Sequence, residues 1–478
     1  MKQSTLHLVS SVLVTIALLL WGGCGKDEAD SHSKYKEELA KIKSLGEPTT
    51  FAGLNTWHKA VPAAKNSALA YLETRKSIPP HGPVDNAYSR AQHGWKRSKN
   101  YNPSALRIHP TLMPSARAKL IAHKAHIDQL LNFYSTSPAN QPARFPADWN
   151  NGWSTVLPHL AWLATDAELL IMRSRIFADA GNAGEAIRSI LAVHRLAHLL
   201  DGEPSVVSIY QQQGRIFGRA DEQIERLLNQ FALNEAQLLA LHQSIASFNV
   251  PTQYANAFIG ERCVVIAGEQ IARNGSSAEL LKIDKGRTLM EKELVHHLKN
   301  RSVAGRDLDM MLFLEFHNSM IKLFKSGYPQ LPASHEKYSE NVKTLARISE
   351  IKELISGKTN PKYILSSMLL RAFTKETEKK SRNWQWSLQQ QLAGTAIAIE
   401  RYRLANRALP QSLNQLVPQF LSALPVDPYS EGKTLRYAAG ANGSFMLSSI
   451  ESDNQKPKHP HPAPDIYTFG VNPALRGR

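Results

Sequence analysis

The chain has 478 residues, enough for about three domains. Its composition is 42% hydrophobic and 21% charged, with 26 Gly and 26 Pro, which excludes wholesale disorder, a collagen-like repeat and a polytopic membrane protein. Two cysteines exclude a disulfide-rich scaffold and a four-cysteine zinc site, while a formal net charge of +16 directs attention to anionic partners.

Residues 1–24 read MKQSTLHLVSSVLVTIALLLWGGC. Lys2 supplies a positive end, and Leu8 to Leu20 is apolar apart from Ser10, Ser11 and Thr15. That run has signal-peptide length and is short for a full span. Gly22-Gly23-Cys24 follows it, then polar Gly25-Lys26-Asp27-Glu28. Small residues before a cysteine at the end of an apolar run resemble a bacterial lipoprotein cleavage site. That resemblance implies that Cys24 carries the lipid and becomes the first mature residue. Trp21 stands where the family usually has a leucine-like residue. An uncleaved anchor and simple secretion are the alternatives. All three readings place the rest of the chain outside the cytoplasm, and the expected location is the bacterial cell envelope, membrane-anchored and facing the periplasm or the exterior. With Cys24 lipidated, Cys263 has no partner, and its apolar surroundings predict a buried thiol.

Residues 25–146 read as a charged tether with helices and proline-rich loops. Helical spacing covers 54–76 and 115–134, and proline clusters occupy 77–114 and 138–146. Residues 147–380 predict a helical array. In it, Leu160, Leu163, Ala167, Leu170 and Ile171 line one helix. Asp179-Ala180-Gly181-Asn182 makes the turn, with Gly181 fit for a left-handed stop. Glu185-Ala186-Ile187 opens the next helix, and Asp201-Gly202-Glu203-Pro204 ends it. Further helices are predicted over 209–231, 235–248, 251–273, 289–298, 307–325, 334–354 and 361–377. The turn at 180–187 resembles that of tetratricopeptide-like hairpins, without a clean repeat.

From 384 the pattern changes. A helix to Asn406 precedes the short "PQSLNQLVP" and "LPVDPY" segments. Strands are predicted over 435–438, 445–450 and 465–469. Residues 395–470, with "ERYRLAN" leading into "PQSLNQLVP", "LPVDPY" and "LRYAAGANGSFMLSSI", resemble the C-terminal half of the major pseudopilin of type II secretion. The resemblance implies a helix packed on a small antiparallel sheet, and the family often binds calcium in its final loop. Here only Glu451, Asp453 and Asp465 offer carboxylates, spread along the chain rather than clustered. In that family the apolar helix of the prepilin signal runs directly into this region, whereas here about 370 other residues intervene. The whole arrangement also resembles a group of bacterial envelope lipoproteins that join a helical region to such a tail. The expected fold is therefore mainly α, an irregular helical hairpin array with a small C-terminal α+β module over 384–478.

Few residues point to chemistry. His194 and His198 lie four apart on one helical face, a spacing that can bind zinc. Arg195 occupies the place of the glutamate base, however, and no third ligand is marked. The bland alternative is two histidines at a helix–helix contact. Glu293 and His296 form a single Glu-x-x-His step of the di-iron type, which needs a second copy. His459 and His461 sit among alternating prolines. No phosphate-binding loop, dinucleotide fingerprint or nucleophile elbow is present. The basic charge flanks an acidic stretch, 146–279, rather than forming one face, which argues against nucleic acid. The expected function is a membrane-anchored, non-catalytic scaffold or adaptor that needs no cofactor and binds another envelope protein through its helical surface. The alternatives are an accessory part of a pilus or type II secretion-like assembly, and a metal-dependent hydrolase using His194 and His198.

Overall fold

The computed structural model describes residues 27–78, 85, 87, 107–136, 141–205, 207–274, 303–325, 382–428, 430, 433–450 and 468–476. The fold is mainly helical, with twelve α-helices among the described residues and a small antiparallel sheet near the C-terminus. Helices α1 (Asp27–Ser44), α2 (Phe51–Trp57) and α3 (Ser67–Thr74) open the chain, followed by α4 (Met113–Ala122) and α5 (Lys124–Thr136). Pro62 separates α2 from α3, and His123 ends α4, so two helices stand in each place where the apolar spacing alone predicts one.

The central array is α6 (Pro158–Asp179), α7 (Ala183–His198), α8 (Gly214–Gln230), α9 (Glu235–Ala246) and α10 (Val250–Asn274). Gly181 takes φ +80° and Asn182 caps α7 by accepting from the Glu185 amide, which is why the chain reverses there. Ser174 Oγ then donates to the Ala186 carbonyl at 2.9 Å, and Arg173 reaches Ser189 Oγ at 2.7 Å, stapling α6 to α7. Asn234 and Gln237 form a reciprocal capping box on α9. A turn of π-helix, Val207–Gln213, precedes α8 where the sequence pattern predicts uninterrupted α-helix. Helix α11 (Val303–Lys325) packs on α10 and α1. Their contact holds a separate small core of Tyr35, Ile42, Ile266, Met310, Phe313 and Leu314.

Charged ties surround that core. Arg262, 2% exposed, pairs with Glu47 and reaches Asn318, while Lys325 Nζ stands 2.7 Å from the other Glu47 oxygen. Arg273 spans buried Glu269 and Asp307 and lies over the Tyr35 ring, and His32 Nδ1 closes on Asp307 at 2.8 Å. Each buried charge thereby meets an opposite one, which such burial requires.

Helix α12 (Arg382–Asn406) lies across α8 and α9. Strands β1 (Arg436–Ala439), β2 (Phe445–Ser448) and β3 (Thr468–Val471) pair antiparallel in that order, Tyr437 opposite Leu447 and Leu447 opposite Phe469. Phe445, Leu447, Phe469 and Val471 point inward while Met446 faces out, the period of two that a one-sided sheet requires. The tail is not set apart from the array. Glu225 and Asn229 of α8 grip β3 through the Gly470 amide (2.8 Å), the Gly470 carbonyl (2.7 Å) and the Asn472 amide (2.7 Å). One hydrophobic core runs from Ala68 to Val471.

Two buried histidines make stability sensitive to acid. Burial, reinforced by Arg144 and opposed by Glu203, holds His58 down at about 4. Burial holds His317 at about 3, its ring stacked on Phe313. Both stay neutral in the fold, whereas the unfolded chain takes up protons below about pH 6.5. Their contribution to stability is therefore complete above that pH and is lost as pH drops from about 6.5 toward 4, on the order of 3 kcal/mol for His58 alone. Urea midpoints compared at pH 7 and pH 4.5 check this, and His317→Phe should flatten the dependence. A pH dependence identical in His317→Phe and the parent would show that the ring titrates in the fold as it does in the unfolded chain.

Candidate functional site

The polar seam between α7 and α9 brings together the histidines that the sequence singles out. The one-turn spacing of His194 and His198 on α7 faces that of Ser244 and Ser247 on α9, Ser247 being the C-cap. His194 Nδ1 lies 2.8 Å from Ser244 Oγ, and its Nε2 lies 3.3 Å from Asp221 Oδ1 of α8. His198 Nε2 lies 2.8 Å from Ser247 Oγ, and its Nδ1 lies 2.9 Å from Asp201 Oδ2. Phe217 stacks on His194, meets His198 edge-on and stacks on Phe248 at 4.1 Å. The seam grades from closed to open: His194 and Asp221 are buried, while Ser247 is exposed. Burial raises the Asp221 carboxyl above its ordinary range, and His194 only partly opposes this.

Every ring nitrogen of the pair thus faces a serine or an aspartate of the same chain. Among the described residues no group of three His, Cys, Asp or Glu side chains is arranged to hold a metal ion. Cys263 is buried and bonded to the Thr50 carbonyl, and burial pushes its thiol up to about 12, far from a usable thiolate. Cys24, Glu293, His296, Glu451, Asp453, His459, His461 and Asp465 lie outside the described residues. No helix among the described residues is long and apolar enough to cross a membrane.

A second feature is an open cleft of about 940 Å³, lined by residues of α9, α10, α11 and α12 and by the loop 421–426. Leu424, Val250 and Phe324 supply apolar wall, and Asn249, Thr252 and Lys325 supply polar rim. Gln390 of α12 closes one side by donating to the Ile245 and Phe248 carbonyls at 2.8 and 3.0 Å, satisfying the end of α9. Arg401 bridges Glu235 and His242, and burial together with that guanidinium keeps the His242 ring pKa low.

The histidine pair, four residues apart, has a signal in the sequence, and the partner serines stand three apart, about one turn. Asp221 carries none, because its place in the seam depends on how α8 returns to α7. The cleft has no local signal either, since its walls come from four helices and a loop far apart in the chain. Comparison with protein-family models, with curated proteins and with solved structures finds no match for this chain.

Proposed function

We propose that the protein is an exported, membrane-tethered binding protein, held in the bacterial envelope through Cys24, that takes a segment of another envelope protein into the cleft between its helical array and its C-terminal tail. The cleft carries this reading. Its size exceeds what side-chain packing leaves empty, and its lining mixes apolar wall with amide and hydroxyl groups as peptide-binding surfaces do. Two lining residues are tied to neighbours, Lys325 to Glu47 and His242 to Arg401.

Site-specific photo-crosslinking in intact cells tests it. A photoreactive residue at Thr252, on the cleft rim, should yield one discrete adduct. The same residue at Ile121, 76% exposed on a helix that contributes nothing to the cleft, should yield none. Equal adducts from both positions, or none from Thr252, would reject the reading. The mass of the mature N-terminus reports the tether separately.

A further inference from the structure

We propose that Ser247, His198 and Asp201 form a nucleophilic site for acyl transfer from carboxylic esters. The proposal does not depend on what fills the cleft. Three observations carry it. The order of contacts is the one that chemistry requires: hydroxyl on Nε2 at 2.8 Å, carboxylate on Nδ1 at 2.9 Å. The carboxylate is itself positioned, because fully buried Gln213 donates to Asp201 Oδ1 at 2.6 Å and to the Ala197 carbonyl at 3.0 Å. Ser247 is open to solvent at the C-cap of α9, so an ester can reach its oxygen.

The neighbouring set shows why the outer one is singled out. Ser244, His194 and Asp221 repeat the three residue types one turn away, but the ring is 1% exposed, the serine is met by Nδ1, and the aspartate stands 3.3 Å from Nε2. That set is closed to any substrate and holds helices together. In the outer set, Asp201 fixes the proton on Nδ1 and leaves the Nε2 lone pair facing Ser247. The Ser247 hydroxyl also has the Ser244 carbonyl within 2.8 Å. Turning from that carbonyl to Nε2 is a rotation of one hydroxyl group.

The step balances within the site. Ser247 Oγ bonds to the ester carbonyl carbon and its proton passes to His198 Nε2. The bond from that carbon to the alcohol oxygen breaks, and the alcohol leaves with the proton. Water, activated by the same ring, then attacks the acyl-serine, releases the carboxylic acid and restores the hydroxyl. Asp201 is a positioning residue.

A fluorophosphonate probe tests this on the full-length protein, since it forms an Oγ–P bond and expels fluoride only at an activated serine. Tandem mass spectrometry should place the adduct on Ser247, and Ser247→Ala should abolish it. His198→Gln should slow labelling by about 100-fold or more, the usual worth of a general base. Asp201→Asn should also slow it, and the single ionisation in the wild-type pH profile should disappear in His198→Gln. Thermal melts confirm that each variant is folded, Ser247 being an exposed cap. No adduct on Ser247, or labelling equally fast in folded His198→Gln, would overturn the proposal and leave the contact purely structural.

Discussion

Asp166→Ala should cost about 3–5 kcal/mol, the penalty for removing one partner of a buried charge cluster. Asp166 is 1% exposed on α6 and draws α3, with its C-cap Arg75, and α5 onto itself. It accepts from Tyr71 Oη at 2.6 Å on one oxygen. The other oxygen takes Arg75 and His126 Nε2, both at 2.9 Å. His126 is fixed in turn by the Thr74 carbonyl at 3.0 Å. Without the carboxylate, Arg75 loses its ion pair and His126 Nε2 loses this acceptor. Tyr71→Phe removes only one donor and should cost about 1–2 kcal/mol. Denaturant midpoints at constant slope measure both. A loss below about 1 kcal/mol for Asp166→Ala would mean that apolar packing alone holds α3 and α5 on α6.

The second large effect is expected where α12 meets α8. The Trp386 ring rests on Gly214 and Gly218, one turn apart. A Cβ on Gly218 would come within 2.2 Å of Trp386 Cε3, and one on Gly214 within 2.4 Å of Cδ1. Trp386→Ala should cost about 3 kcal/mol, the low end for a large aromatic because the ring is only partly buried. Gly218→Ala gains up to about 1 kcal/mol of helix propensity but overpacks the ring by more, for a net loss of about 1–2 kcal/mol. Since both changes act on one contact, the double variant should lose clearly less than the sum. Additive losses would show that the glycines and the indole do not depend on each other. Because α12 leads into the sheet, the same contact sets how the tail sits on the array.

Much of the local structure was legible residue by residue. Gly181 and Asn182 announce a helix stop and a cap, and the chain turns there. The three strands are legible from alternation and lie within a few residues of their expected places. The splitting of helices at Pro62 and His123 was not, because apolar spacing continues through both breaks. The candidate site was half legible. Histidines four apart must share a helical face, so the pair at 194 and 198 could be singled out. What faces them is set by a different helix and by the turn at 201–204.

The amino-acid sequence by itself determined the helical character of the array and the order of elements in the tail. These follow from spacing, capping and punctuation, which act over a few residues. Only the tertiary structure decided that α12 crosses α8 and α9, that β3 is gripped by Glu225 and Asn229, and that Ser247 meets His198. Those contacts join residues far apart in the chain or on separate elements. Their selection rests on shape and on pairing buried polar groups across the whole core, which no local pattern encodes.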